Sequence, residues 1–67
     1  MIMNEHVERM KDEHKEICTK TNALNAFIHG NKIFKALDGS EQARMIKQCG
    51  FMESYADTLE TRIFVAE

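Results

Sequence analysis

The sequence contains no proline and no tryptophan, and its three glycines and two cysteines are widely spaced. Without proline, no residue of the chain obliges a helix to break. Cys18 and Cys49 form no CxxC pair, and the charged residues that begin at Glu5 leave no room for the apolar segment of a secretory signal. We therefore expect a cytoplasmic protein with both thiols reduced, a single disulfide being the lesser alternative.

Apolar runs are also short, and none approaches the ~18–20 residues that a membrane-spanning helix requires. We therefore expect no membrane partner. A chain of 67 residues has room for one domain, residues 1–67. The core of such a domain rarely contributes more than ~3–5 kcal/mol, so a staple or a partner is needed. The composition favours self-association as the source of this additional stability.

The formal net charge of −2 conceals a gradient along the chain. Residues 1–28 carry four cations against five carboxylates, residues 29–48 carry four against two, and residues 49–67 carry one against four. Proteins that bind duplex nucleic acid normally have a larger basic excess, so we expect no nucleic-acid polymer as partner. A small anion remains compatible with the basic middle of the chain.

Two long segments show heptad repeats, in which seam positions alternate by three and four residues. The first segment covers about residues 4–29, and its seam is Met3, Val7, Met10, His14, Ile17, Thr21, Leu24 and Ile28. The second seam is Met45, Cys49, Met52, Ala56, Leu59, Ile63 and Ala66. We predict that Gly30 closes the first helix in a left-handed conformation and that Ser40 is the N-cap of the second.

These seams predict an all-α fold, an antiparallel two-helix hairpin with a short helical turn over residues 33–37. Phe34 and Leu37 of this connector are expected to fill the open end of the hairpin. Large apolar residues outside the seams would have no third layer to cover them, namely Ile46, Phe51, Tyr55 and Phe64. We therefore predict a homo-oligomeric helical bundle, for example a tetramer or hexamer.

Residue patterns for catalysis or metal binding are scarce. His14 and Cys18 lie four residues apart, but two ligands make an incomplete zinc site, and no third group would orient a catalytic thiol. We expect no enzyme activity, no metal and no cofactor. Within the seam, His14 and Thr21 either fix the helix register or line a polar pocket. Gly50 is either tolerated inside the second helix, at about 1 kcal/mol, or marks a close helix approach.

A second stripe lies beside the second seam, with one residue every seven positions. The stripe and its neighbours are Gln48, Tyr55 and Arg62, with Arg44 and Phe51 on the same helix and Lys32 and Lys35 in the connector. Aromatic rings stack on bases, arginine pairs with phosphate, and glutamine reads a base edge. Alternatively, the aromatic side chains lie in a subunit interface and the arginines pair with nearby carboxylates. Taken by itself, the stripe favours this second interpretation.

These residues resemble a small phage-encoded family of helical hairpins whose characterised members are anti-CBASS and anti-Thoeris proteins. The resemblance covers residues 6–64. Its pattern is a first helix that ends in Ala23-Leu24-Asn25-Ala26-Phe27-Ile28, a connector with Phe34 and Leu37, and a second helix with Glu41, Gln48, Met52, Tyr55, Leu59 and Arg62-Ile63.

The resemblance implies an oligomeric immune-evasion protein that sequesters a nucleotide second messenger in the host cytoplasm without cleaving it. The messenger would be a cyclic oligonucleotide or a cyclic ADP-ribose type. Its implied contacts are Phe51 or Tyr55 on a base, Gln48 on a base edge, Arg44 and Arg62 on phosphates, and Lys32 and Lys35 as nearby positive charge. The alternative is a helical protein–protein interaction or structural accessory module of a phage.

Overall fold

The computed structural model describes the backbone of residues 2–67 and the side chains of residues 5–67. Three helices make up this part of the chain: α1 (Ile2–Gly30), α2 (Lys32–Ala36) and α3 (Gly39–Ala66). The predicted all-α class is confirmed, and residues 2–67 contain no strand. None of these helices combines the length and the apolarity that crossing a bilayer demands. The predicted seam residue Met3 lies outside the described side chains.

The two heptad seams pack against each other. In α1, Met10 and Thr21 are buried, and in α3 the buried residues are Cys49, Ala56 and Leu59. The other described seam side chains are half-buried, so the three–four periodicity identified the residues that form the core. Leu59 is the most enclosed of them, with 1% of its surface exposed.

Polar contacts of α1 with α3 and with its C-cap residue, Glu67, follow opposite orders along the two helices. Lys11 Nζ lies 3.3 Å from Glu67 Oε1, and Asn25 Nδ2 donates to Glu53 Oε2 at 3.3 Å. The molecule measures 50 × 15 × 13 Å, so its core is a single layer of side chains. Both sides of that layer border on solvent.

The connector between the two long helices contacts both of them. Phe34 is buried and meets the edge of Phe27, with ring centroids 6.1 Å apart and planes at 84°. Leu37 is half-buried, so both predicted connector residues contribute to the core. From α3, Gln42 Nε2 donates to the carbonyl oxygens of Phe34 (2.9 Å), Leu37 (3.1 Å) and Lys35 (3.3 Å). The Phe34 carbonyl also accepts from the Leu37 N–H at 3.1 Å, so Gln42 adds a second bond there and reaches the carbonyls of Lys35 and Leu37 at the end of the connector helix as well.

Two predicted helix ends are wrong. Gly30 belongs to α1, and no glycine in residues 2–67 has a positive φ, because the chain leaves the helix at Asn31 in an extended conformation. Asp38, rather than Ser40, caps α3: its Oδ1 accepts from the backbone N and the Oγ of Ser40, both at 2.9 Å. A carboxylate suits the positive end of a helix, and these bonds lower the pKa of Asp38.

Candidate functional site

Large exposed apolar side chains lie on α2 and α3. They are Ile33, Ile46, Phe51, Tyr55, Phe64 and Val65. The large apolar side chains described for α1 are all buried or half-buried. A helix whose aromatic rings remain exposed offers a surface for a ligand or for another protein. The candidate site therefore lies on α3.

Phe51 and Tyr55 form the centre of this surface. They are four residues apart on α3, so their rings project from the same side, and they are 66% and 45% exposed. Lys47 Nζ lies 5.9 Å from the centroid of the Phe51 ring, within the range of a cation–π contact. We call Lys47, Gln48, Phe51, Tyr55 and Arg62 the aromatic face. It combines flat apolar surface with positive charge, which suits an aromatic anion.

The polar members of this surface differ in how firmly the chain holds them. Gln48 Nε2 lies 3.8 Å from Met52 Sδ, a weak contact. Arg44 Nε is 2.9 Å from Glu41 Oε1, one helical turn earlier. Arg62 forms no ion pair within residues 5–67 and borders a shallow pocket together with His6, Met10 and Val65. Of the two predicted arginines, Arg62 is the one whose charge remains available.

The seven predicted ligand residues are spread along the molecule. Arg44 and Arg62 are eighteen residues apart on one helix, or about 27 Å. Lys32 and Lys35 lie on α2, beyond the Arg44 end, and both are exposed. One small nucleotide on a single chain would therefore contact a subset of the seven. Their role as ligand contacts stays a prediction.

A groove follows the other side of the α1–α3 seam. Its first part is lined by Asn25, His29, Ile46, Gly50 and Glu53, and its second by Cys18, Asn22, Asn25, Glu53 and Asp57. A Cβ atom at Gly50 would meet nothing within 4 Å. Gly50 therefore serves no close approach within the chain, and the alternatives are simple tolerance or a contact between copies.

The polar seam residues have partners inside the chain. The Thr21 side chain is buried, and its hydroxyl donates to the Ile17 carbonyl at 2.6 Å. His14 Nε2 lies 3.6 Å from Cys18 Sγ. Both arrangements fit residues that shape the seam, and neither directs an unsatisfied polar group into a pocket.

The cysteines are both free thiols. Burial, with a smaller contribution from the Glu53 carboxylate, raises the pKa of the Cys49 thiol, so it stays protonated and is a poor nucleophile at neutral pH. Among residues 5–67, no three histidine, cysteine or carboxylate side chains gather as potential metal ligands.

Comparison with known proteins identifies the family. The family model described as Sequestin matches residues 4–65. This chain belongs to the sequestin family. It is also 38% identical, over 55 residues, to the "Uncharacterized 7.5 kDa protein in denB-rIIB intergenic region" of Enterobacteria phage T4, an alignment that covers 82% of this chain and 84% of the phage protein. No solved structure matches the chain.

The two matches identify a small phage protein of the sequestin family. The residues that the family model matches run from the first turn of α1 to near the end of α3 and include the whole aromatic face. Two residues that make contacts in the structure, Lys47 and Gln42, were not predicted from the sequence. Lys47 precedes Phe51 by four residues, a spacing that could have been noticed. Gln42 gave no such signal, because its three acceptors depend on how the connector folds back.

Proposed function

We propose that this chain binds a nucleotide second messenger of the cyclic oligonucleotide or cyclic ADP-ribose type and withholds it from host immune proteins. The protein holds the messenger without cleaving it and so acts as an anti-CBASS or anti-Thoeris factor in the host cytoplasm. The observation that carries the proposal is an exposed pair of aromatic rings flanked by cations, in a family whose name denotes sequestration.

The aromatic face suggests how a messenger would be held. Phe51 or Tyr55 stacks on a base, since base–aromatic stacking contributes about 1–3 kcal/mol for each base. Arg62 and Lys47 neutralise phosphates, and arginine does so with two parallel hydrogen bonds. Gln48 recognises a base edge, while Arg44, Lys32 and Lys35 add positive charge toward the connector end. No step in this scheme breaks a bond, so the protein acts by stoichiometric capture.

Capture on an open surface is weak, so we further propose that copies of the chain enclose the messenger. Each chain would be an antiparallel hairpin within a homo-oligomeric bundle such as a tetramer or hexamer. The exposed rings support this, because a single layer of core side chains leaves them uncovered. A pocket formed between copies would bury the ligand and exclude water from its phosphates.

Thermal unfolding of the purified protein with a panel of cyclic oligonucleotides and ADP-ribose isomers tests the function. We expect one class to raise the melting temperature, by mass action on the folded state, and to be recovered intact after proteolysis. Absence of stabilisation by every member would refute the sequestration proposal. Recovery of a cleaved product would show an enzyme instead.

A matched pair of variants tests the site. Phe51→Ala should reduce messenger affinity by about 5- to 150-fold, the equivalent of one lost stacking interaction. Phe64→Ala makes the same change at another exposed position of α3, outside the aromatic face, and should leave the affinity unchanged. Equal effects of the two variants would mean that the aromatic face is not the binding site.

The second candidate function is a helical protein-interaction or structural accessory module of the phage. The same exposed rings favour it, since aromatic residues are enriched at the centres of protein interfaces. The nucleotide panel separates the two functions, because an interaction module would show no stabilisation by any messenger.

A further inference from the structure

His14 and Cys18 lie close together on α1. They are four residues apart, so their side chains project from successive turns on one side of the helix, and both are half-buried. His14 Nε2 is 3.6 Å from Cys18 Sγ, and His14 Nδ1 is 3.8 Å from it. Within residues 5–67 this is the one polar contact that either side chain makes. Because the two ring nitrogens are almost equally distant from the sulfur, either can act as a ligand while the other keeps the ring proton.

The distance between these two side chains is the one expected for two ligands of a single tetrahedral metal ion. Zn–S bonds are about 2.3 Å long and Zn–N bonds about 2.0–2.1 Å, and bonds of these lengths that meet at a tetrahedral angle place the nitrogen and the sulfur about 3.6 Å apart. His14 Nε2 and Cys18 Sγ have this separation. Residue spacing alone makes the pair an incomplete zinc site, and the distance shows that both ligands can reach one ion without a movement of the backbone.

The groove supplies the surroundings that such an ion needs. Cys18 lines the second part of the groove together with Asn22 and Asp57. Two protein ligands leave two positions of a tetrahedral ion open, and water from the groove can fill them. The Asp57 carboxylate faces the same groove, where it can accept hydrogen bonds from metal-bound water. One thiolate and one carboxylate also balance the two positive charges of the ion.

The two cysteines of one chain lie too far apart for a disulfide. Cys49 lines the first part of the groove together with His29 of α1. Cys18 precedes His29 by eleven residues on the same helix, which corresponds to about 16 Å along the helix axis. The Cα atoms of a disulfide lie within about 7 Å of each other. Both thiols therefore stay free within one chain, and Cys18 remains available as a ligand.

We propose that His14 and Cys18 bind one divalent cation of the zinc type, with water in the remaining positions, and that the ion links two successive turns of α1. On binding, the Cys18 thiol gives its proton to solvent, and the thiolate sulfur and the neutral imidazole donate their lone pairs to the ion. A chain whose core is a single layer of side chains gains stability from such a link. The site belongs to α1 and the aromatic face to α3, so the inference does not depend on messenger capture.

The other cysteine provides an internal comparison. Cys49 and His29 line one part of the groove, so they too bring a thiol and an imidazole to a common surface. Cys49 is only 4% exposed, however, and burial raises the pKa of its thiol, which opposes the thiolate that a metal requires. We therefore expect the cation to choose Cys18 over Cys49.

Titration of the full reduced chain with Co²⁺, a spectroscopic substitute for Zn²⁺, tests the inference. A Co–thiolate bond gives a charge-transfer band in the near ultraviolet, and Zn²⁺ should abolish the band because it binds the same ligands more tightly. Native mass spectra should show one ion for each chain. His14→Gln and Cys18→Ala should each weaken binding at least about tenfold, since each removes one of two protein ligands. His29→Gln and Cys49→Ala are the matched controls and should leave the affinity unchanged.

Two measurements on the wild type need no substitution and so keep the test independent of how the variants fold. Zn²⁺ should raise the melting temperature progressively with its concentration, whereas Mg²⁺, which prefers oxygen ligands, should not. Zn²⁺ should also protect Cys18 from alkylation by iodoacetamide, as peptide mass mapping would show. Circular dichroism of the four variants checks that their helix content is unaltered.

Absence of a charge-transfer band at millimolar Co²⁺ would overturn the inference. A band that persists in Cys18→Ala, or binding that is unaffected in His14→Gln, would do the same. One ion shared by two chains would also contradict a link within α1. The nucleotide panel is run with a metal chelator, so messenger capture succeeds or fails separately from this site.

Discussion

The two long helices share one seam and differ in everything outside it. α1 buries or half-buries every large apolar side chain described for it and presents charged and amide residues to solvent. α3, of nearly equal length, keeps Ile46, Phe51, Tyr55, Phe64 and Val65 exposed. Folding of the single chain therefore accounts for the apolar pattern of α1 and for about half of that of α3. The remainder of α3 points to contacts outside the chain.

The largest expected effect concerns the seam that the helices share. Leu59→Ala in α3 and Met10→Ala in α1 should each reduce the free energy of unfolding by about 2–5 kcal/mol, because both side chains are buried in the single core layer. Urea unfolding followed by circular dichroism measures the change. Phe64→Ala, 82% exposed, is the control and should change it by less than about 0.5 kcal/mol. Clearly unequal losses of unfolding free energy for Leu59→Ala and Met10→Ala would show that the two seams do not contribute equally to the core.

Next in size is the link that α3 makes to the connector. Gln42→Ala removes one amide that donates to three carbonyl oxygens and should cost about 1–2 kcal/mol in urea unfolding. Gln48→Ala is the same substitution at a position whose amide meets only the Met52 sulfur, and it should be close to neutral. A neutral Gln42→Ala would show that the connector does not depend on α3.

Gly50 lowers the helix propensity of α3. Gly50→Ala should raise the stability of the dilute, monomeric chain by about 1 kcal/mol, because alanine favours the helix and its Cβ has free space. The midpoint of urea unfolding measures the gain. A loss of this gain at high protein concentration would place Gly50 in a contact between copies. A destabilised monomer would contradict the open space at this position.

Thr21, a buried polar residue, allows a comparable test of an unusual seam residue in α1. Thr21→Val keeps the shape of the side chain and removes a hydroxyl that bonds only within its own helix. We expect a change of less than about 1 kcal/mol, on the stabilising side, because the Ile17 carbonyl keeps its backbone partner. Messenger binding should be unchanged in the thermal assay. Lost binding in a folded Thr21→Val protein would make α1 part of the ligand site and would remove the contrast between the helices.

The smallest effect lies at the start of α3. The pKa of Asp38 is lowered by the bonds from Ser40, so this carboxylate stabilises the fold above the pKa of the unfolded chain, about 3.9. That contribution is lost as the pH falls through the lowered value. Asp38→Asn should keep the cap and remove this part of the acid destabilisation, as urea midpoints between about pH 5 and pH 2.5 would show. Identical pH profiles for both proteins would mean that the cap does not depend on charge.

Much of the fold could be predicted because the heptad pattern reports burial directly. The three–four spacing placed Leu59 and Met10 in the core, and it marked Phe51 and Tyr55 as lying off the seam. The ends of the helices were harder to predict than the core residues. Asp38 and Ser40 are both good capping residues two positions apart, and the choice depended on where the backbone turned.

The candidate site could be predicted only as a set of residue types. Spacing showed that Gln48, Tyr55 and Arg62 share one side of α3, but it could not show that Arg44 is held by Glu41 while Arg62 is not. A ligand pocket between copies also leaves little trace in one sequence, because its walls belong to different chains. The exposed apolar side chains that distinguish α3 from α1 are the observation on the single chain that supports the proposed pocket.

The single layer of core side chains has a consequence for the capacity of the protein. A molecule 15 Å by 13 Å in section has no interior in which a nucleotide could be enclosed. Any enclosed site must therefore be made by repetition, and symmetry then ties the number of sites to the number of chains. One substitution alters every wall of such a site at once. The number of such sites would therefore rise only in proportion to the number of copies that assemble.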